Sequence, residues 1–110
     1  MSTNPHIGYR FLCGADMHPT TVRMTHPQAT FIARAKITGP QGDVWGILLH
    51  TPFGSDDLLR PEMQTTTDDG RAFTAHADPT PFGDPNDLLM AAKYWELPPA
   101  YIKTLPGGDR

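Results

Sequence analysis

Three arginines occupy matching positions in the first three segments whose sequences favour β-strands. The segments read HIGYRFLC, TTVRMTH and TFIARAKI, and they contain Arg10, Arg23 and Arg34. If neighbouring segments pair as hairpins, the three guanidinium groups lie side by side on one face of the sheet. Like charges directly opposite each other destabilise a sheet, so this row requires an anionic partner.

Further cationic and aromatic side chains fall close to that row in the predicted register. Lys36 and Trp45 lie in the adjacent row, and Tyr94 lies on a predicted helix. Guanidinium groups suit planar recognition of carboxylate or phosphate, and aromatic rings add stacking. We therefore predict a surface that binds a partner or an anion, formed by Arg10, Arg23, Arg34, Lys36, Trp45 and Tyr94.

This surface predicts a binding protein more readily than an enzyme. We expect a small, soluble, non-enzymatic interaction module, of the inhibitor or accessory-subunit type, that binds an acidic protein surface. One alternative is a module that binds a nucleotide-like or other phosphate-bearing anion through the same arginines. In a structural interpretation, aspartates of the 55–70 segment (Asp56, Asp57, Asp68 and Asp69) neutralise the row within the chain.

Histidines offer a third functional hypothesis, a small metal-dependent hydrolase. His26, His50 and His76 come together only if a fifth strand docks beside the first four. The sequence lacks the close ligand pairs that are typical of zinc sites, such as C-x-x-C. We favour partly buried histidines at strand ends, and we expect neither a metal nor another cofactor.

Composition indicates one domain in a reducing compartment. The chain has 110 residues, a formal net charge of −3 and one cysteine, Cys13. A single core therefore spans residues 1–110, with residues 1–5 and 106–110 flexible and a long loop with a short helical turn at 55–70. The sequence shows no signal peptide and no membrane-spanning run, so we expect a cytoplasmic protein.

Alternation of apolar and polar residues predicts an α+β fold. The three segments above and VWGILLH predict an antiparallel β-meander of four strands, and RAFTAHA (71–77) adds a fifth at an edge that the sequence does not define. Small residues at Ala33, Ala35 and Gly46 leave a shallow trough on one face. We expect the C-terminal helix to pack there.

The sequence DPNDLLMAAKYWEL predicts that helix. Asp84 is a good N-cap, Pro85 suits the first helical position, and the Pro98–Pro99 pair ends the helix. Leu88, Ala91, Ala92 and Trp95 form the stripe that faces the sheet.

A second apolar stripe on the same helix contains Met90, Tyr94 and Leu97. The C-terminal tail covers this stripe in our preferred interpretation, through Tyr101, Ile102 and Leu105. The alternative is a contact with a protein partner or with a second copy of the chain, since methionine and aromatic side chains are enriched at interfaces.

Overall fold

The computed structural model describes residues 7–39, 42–52, 59–78 and 83–108. The strands are β1 (Ile7–Leu12), β2 (Thr30–Gly39), β3 (Gly42–Pro52), β4 (Glu62–Thr67) and β5 (Ala72–Ala77). The helices are α1 (Pro19–Thr25), α2 (Pro85–Tyr94) and α3 (Pro99–Ile102), and a 3-10 turn (Ala15–Met17) precedes α1.

The five strands close into a barrel in the order β1-β3-β2-β4-β5. Neighbouring strands are antiparallel except for β1 and β5, which run parallel. The predicted α+β class, with an antiparallel sheet and a C-terminal helix packed on one face, is confirmed. The fifth strand, whose edge the sequence did not define, lies between β4 and β1.

The β2–β3 hairpin follows the register that the sequence predicts. Ile37 pairs with Val44, Ala35 with Gly46, and Ala33 with Leu48. A bulge between Phe31 and Ala33 shifts the last pairs, so that Thr30 rather than Phe31 lies opposite His50. Bulges of this kind add local twist, which a closed barrel requires.

The predicted second strand is wrong, because its residues form α1. Pro19 takes the first helical position, and the His18 Nδ1 atom accepts a hydrogen bond from the Thr20 N–H at 3.3 Å. Met17 and Val22 are buried in the core, and this burial outweighs the β-propensity of the threonines. Consequently β3, not the 20–26 segment, lies beside β1.

Two apolar layers fill the fold, one inside the barrel and one between the barrel and the helices. The interior contains Phe11, Cys13, Ala35, Ile37, Leu48, Ala75 and Ala77. The outer layer contains Leu12, Met17, Val22, Ile47, Leu49, Leu88, Ala91, Ala92, Leu97 and Leu105. Ala35 belongs to the barrel interior, whereas α2 packs against Ile47 and Leu49, so the helix lies on the face opposite to the predicted trough.

The start of α2 follows its predicted capping chemistry, whereas the helix ends at Tyr94, before the predicted Pro98–Pro99 stop. Asp84 Oδ1 accepts a hydrogen bond from the Asn86 N–H at 2.8 Å. At the other end Glu96 adopts a positive φ of 55° and the Leu97 N–H donates to Ala92 O, as in a Schellman motif. Among the described residues, no helix has the length and apolar character needed to cross a bilayer.

The segment predicted as a long loop contains a strand. Residues 62–67 form β4, which pairs with β5 from Glu62–His76 to Thr66–Ala72. Thr65 and Thr67 are buried. Because these inward-facing residues are polar, the segment lacks the alternation of apolar and polar residues by which a strand is recognised. Residues 53–58, which include Asp56 and Asp57, lie outside the described residues.

At Gly46, β3 approaches the backbone of β1 so closely that we expect a side chain there to destabilise the fold. A Cβ atom added there would lie 2.0 Å from the carbonyl oxygen of Leu12, and backbone cannot yield cheaply. We expect Gly46→Ala to lower the free energy of unfolding by about 4 kcal/mol or more, measured by urea denaturation.

Gly42→Ala is the matched control for this substitution. Its φ is +117° but nothing lies within 4 Å of the added Cβ, so only backbone strain of about 1 to 3 kcal/mol applies. Equal losses in the two variants would contradict the close-approach explanation.

Candidate functional site

A polar cluster lies where the parallel strands β1 and β5 end. The chain leaves β1 through Cys13 and leaves β5 through Asp78, and the Cys13 Sγ donates to the Asp78 carbonyl oxygen at 3.3 Å. Parallel strands place their carboxyl ends at the same edge, which is where open α/β sheets bind ligands. This edge is the candidate site.

The turn after β1 is held in place by hydrogen bonds and by packing against α2. The Gly14 N–H donates to Asp16 Oδ1 at 3.0 Å. The indole N–H of Trp95 donates to the Met17 carbonyl oxygen at 2.7 Å. Gly83 lies against Ala15 so closely that an added Cβ would approach Ala15 Cβ to 2.4 Å. Residues at the two ends of α2, Gly83 and Trp95, therefore hold the turn in one conformation.

Arg10 supplies a buried positive charge beneath this turn. Its side chain donates to the carbonyl oxygens of Phe11 at 2.5 Å and of His76 at 3.1 Å, and the residue is only 6% exposed. A buried charge is costly unless it is hydrogen-bonded and paired. The electrostatic effect of Arg10 reaches Cys13 and Asp16, so it joins the two groups into one site.

Asp16 is a carboxyl group whose environment disfavours its charge. Burial raises the pKa of Asp16 above its ordinary value, although the Gly14 N–H and the charge of Arg10 act in the opposite direction. A carboxyl group with a raised pKa is better matched to proton transfer near neutral pH. Asp16 is the strongest acid–base candidate among the described residues.

Cys13 is a thiol rather than a thiolate. Burial, followed by the charges of Asp16 and Asp78, raises its pKa to about 12, and Arg10 lowers it only in part. The thiolate is the nucleophilic form of cysteine. The site therefore does not use Cys13 as a covalent nucleophile at neutral pH.

A second titratable pair lies beside Arg10, on β5 and β4. The His76 Nδ1 atom is 2.7 Å from the carbonyl oxygen of Arg60. A carbonyl only accepts, so Nδ1 carries the proton. Nε2 lies 3.8 Å from Glu62 Oε1, which is beyond hydrogen-bond distance.

Tyr101 brings α3 to the same region. The phenol is half-buried, and burial raises its pKa, with the neighbouring Cys13 acting in the same direction. The backbone of Trp45 acts on the pKa of Tyr101 in the opposite direction. A neutral hydroxyl near the turn can donate to a polar ligand atom.

The predicted arginine row does not form. Arg23 lies in the last turn of α1, exposed to solvent. Arg10 pairs across the sheet with Leu49 and Arg34 with Ile47, so β3 separates the two arginines that do lie on strands. The row depended on a second strand that is in fact a helix.

Arg34 has a structural role. Its Nε donates to Asp68 at 2.9 Å, and its NH1 lies 3.5 Å and 3.4 Å from the carbonyl oxygens of Trp95 and Glu96. These carbonyls end α2, where cations are favoured. Neutralisation by Asp68 agrees with the structural interpretation of the row.

The remaining residues of the predicted binding surface are also dispersed. Lys36 donates to Asp43 at 3.2 Å and lies 5.8 Å from the ring centre of Trp45, which is half-buried. Tyr94 is exposed on α2, where its ring packs edge-on against Trp95. Neither residue adjoins Arg10.

The three histidines of the metal hypothesis lie in different surroundings. His26 ends α1 and contacts Thr25, His50 packs against Tyr9, and His76 contacts Arg60. Within residues 7–39, 42–52, 59–78 and 83–108, no three His, Cys, Asp or Glu side chains are grouped as metal ligands would be. These contacts give no support to the predicted hydrolase.

Asp16, Glu62 and Tyr101 were not predicted as site residues. Asp16 follows a strand and a glycine in CGAD, which is the signal that could have identified it. The contact between the two strand ends depends on barrel closure, which the sequence does not reveal.

The geometry defines a small α+β barrel with a half-buried carboxyl group, Asp16, just after the end of β1 in a parallel strand pair. No protein-family profile matches the chain, and no curated protein matches it. Among solved structures, a gamma-glutamyl cyclotransferase has a similar fold, with a TM-score of 0.70 and 15% identity over 87% of this chain and 84% of that one. The human uncharacterized protein loc79017 is similar too, with a TM-score of 0.69 and 14% identity over 86% of this chain and 83% of its own.

These neighbours correct the predicted function. The fold is shared with an enzyme, and the arginine row on which the interaction module rested is not formed. The prediction of a non-enzymatic module of the inhibitor or accessory type is therefore wrong.

The raised pKa of Asp16 predicts an unusual effect on stability. Between the unfolded pKa and the higher folded pKa, the folded state binds more protons, so stability falls as pH rises through this window. We expect Asp16→Asn, which keeps an oxygen to accept from Gly14, to raise the melting temperature at neutral pH. Below the ordinary carboxyl pKa of 3.8 the difference should shrink, as calorimetry across pH will measure.

Asp87→Asn is the control, because Asp87 is an exposed carboxyl in the first turn of α2. There the charge favours the helix dipole, so its loss should lower stability by about 0.3 to 1 kcal/mol. A neutral-pH melting temperature of Asp16→Asn below that of the wild type would contradict the burial argument.

The state of Cys13 gives a second prediction for this site. We expect the folded protein to resist alkylation by iodoacetamide at mildly alkaline pH, because the thiol is 2% exposed and its pKa is about 12. Protein unfolded in guanidinium chloride should react at the rate of a model thiol, as mass spectrometry will show. Equal rates in the two states would contradict the assignment.

Proposed function

We propose that this protein is an enzyme that cyclises small γ-glutamyl compounds and releases the attached amine. The observation that carries the proposal is its likeness in fold to gamma-glutamyl cyclotransferase over 87% of the chain. The carboxyl group of Asp16, placed where β1 and β5 end, supplies the acid–base chemistry that such a reaction needs.

The reaction balances without a cofactor or a second substrate. The α-amine nitrogen of the substrate bonds to its own γ-carbonyl carbon, and the bond from that carbon to the leaving amine breaks. The substrate ammonium group loses one proton to become the nucleophilic amine, and the same nitrogen loses a second proton as the lactam N–H forms. The leaving nitrogen gains one proton when its bond to the carbonyl carbon breaks, and a second when the released amine becomes an ammonium ion. The products are 5-oxoproline and a free amine, and no water is consumed.

Asp16 carries the proton in this scheme. As a carboxylate it accepts a proton that the attacking nitrogen loses as the ring closes, and as an acid it gives that proton to the leaving nitrogen. Its raised pKa brings the two forms closer in energy at neutral pH, which favours a group that must act as both base and acid. General acid–base groups of this kind contribute about 10²- to 10⁴-fold to rates.

Arg10 is a positioning residue. Its guanidinium is held by the carbonyl oxygens of Phe11 and His76, and its charge favours the ionised form of Asp16. It therefore limits how far burial raises the pKa of Asp16. The Cys13 thiol stays protonated, so the nucleophile in this scheme is the substrate amine and no acyl-enzyme forms.

The cytoplasm remains a prediction for the location of this enzyme. It rests on the single cysteine, which fits a reducing compartment.

The experiment is incubation of the protein with a set of γ-glutamyl dipeptides, with products identified by mass spectrometry. We expect 5-oxoproline together with the free amino acid. Asp16→Asn should lower kcat/KM by about 100-fold or more, and Asp87→Asn should leave it unchanged because that carboxyl is exposed on α2.

Three outcomes would contradict parts of this proposal. Glutamate as the product would indicate hydrolysis in place of cyclisation. Absence of turnover with every dipeptide would contradict the proposed reaction. If Asp16→Asn keeps full activity and Glu62→Gln loses activity, Glu62 and not Asp16 carries the proton.

A further inference from the structure

The described surface carries a continuous patch of exposed apolar side chains on and beside α2. Met90 is 57% exposed, Tyr94 60% and Phe31 42%. Phe31 stacks on Trp95 with ring centres 4.9 Å apart and planes 9° apart, and Tyr94 meets Trp95 edge-on at 4.9 Å. We call Phe31, Met90, Tyr94 and Trp95 the α2 patch.

The C-terminal tail does not cover this patch. Leu105 is buried in the outer layer, and Tyr101 and Ile102 pack against the same layer as Leu97. The predicted cover by the tail therefore reaches Leu97, but it leaves Met90 and Tyr94 in solvent. Exposed apolar groups that form a continuous patch mark interaction sites more often than singly exposed side chains do.

Charges along α2 identify the partner that suits the patch. Asp87 lies in the first turn and Lys93 in the last turn, and both are exposed. Each is three residues from Met90, which corresponds to about 4.5 Å along the helix axis. Asp87 and Lys93 are therefore equally far from Met90 along the helix, and their charges are opposite in sign.

We propose that two copies of this chain associate through antiparallel packing of their α2 helices, with Met90 at the two-fold axis. In this arrangement Asp87 of each copy lies level with Lys93 of the other. Phe31, Tyr94 and Trp95 extend the apolar contact on each side of the axis. The patch is self-complementary, as an isologous dimer interface must be.

Parallel packing of the same helices is disfavoured by the same charges. It would place Asp87 beside Asp87 and Lys93 beside Lys93, and it would align the two helix dipoles. Antiparallel packing removes both penalties. An interface centred on one short helix is at the small end of specific interfaces, so we expect a dissociation constant on the order of micromolar.

The test is a charge exchange between copies, followed by sedimentation velocity over a wide range of concentration. Asp87→Lys leaves two lysines facing each other across the axis, and Lys93→Asp leaves two aspartates. Each variant alone should dimerise at least about 10-fold more weakly than the wild type. An equimolar mixture of the two should form a heterodimer, because each lysine then faces an aspartate.

The apolar centre is tested by Met90→Glu, which should abolish dimerisation. Met24→Glu is its matched control, because Met24 is 78% exposed on α1 and lies outside the patch. Circular dichroism confirms that each variant is folded before it is compared.

A wild-type protein that remains monomeric at every concentration would overturn the proposal. So would single charge variants that dimerise as the wild type does, or a mixture that does not associate. The test needs no substrate, so its result is independent of the proposed enzyme activity.

Discussion

Parallel pairing of β1 with β5 closes the barrel, and the rest of the structure depends on it. The described register contains two pairs, Arg10 with His76 and Phe11 with Ala77. This short contact aligns the carboxyl ends of two strands that are more than sixty residues apart in sequence, as the Cys13–Asp78 hydrogen bond shows. Without it, the turn after β1 and Asp78 would lie at separate edges of an open sheet.

Closure also determines where charge is tolerated. Arg10 is buried beside the β5 backbone, whose His76 carbonyl oxygen it binds. The Asp16 carboxyl group accepts a hydrogen bond from the Gly14 N–H, and burial keeps its pKa raised despite this bond and the charge of Arg10. Apolar side chains of similar volume at these positions would stabilise the fold at least as well. Such an arrangement is typical of sites that stability alone does not explain.

Local signals predicted the elements that depend on local chemistry. The β2–β3 register follows from alternation and a short turn, and α2 follows from Asp84, Pro85 and its apolar stripe. Other elements depend on contacts remote in sequence. The TTVRMT segment alternates like a strand but forms α1 because Val22 joins the core there. β4 was missed because Thr65 and Thr67 face the barrel interior where apolar residues are expected.

The candidate site was missed for the same reason. Its groups come from the ends of β1 and β5 and from the start of β4, and only closure of the barrel joins them. The predicted arginine surface failed because it assumed that each segment pairs with the next in sequence. In the structure β3 lies between β1 and β2, so one misassigned segment dispersed the whole row.

The most direct measurement is a carbon-13 NMR titration of the aspartate side chains, with the Asp16 signal assigned through Asp16→Asn. The account predicts that the Asp16 carboxyl titrates clearly above the ordinary value of 3.8, because burial outweighs the Gly14 N–H and Arg10. Titration at or below that value would contradict the assignment of Asp16 as the proton-carrying group of this site.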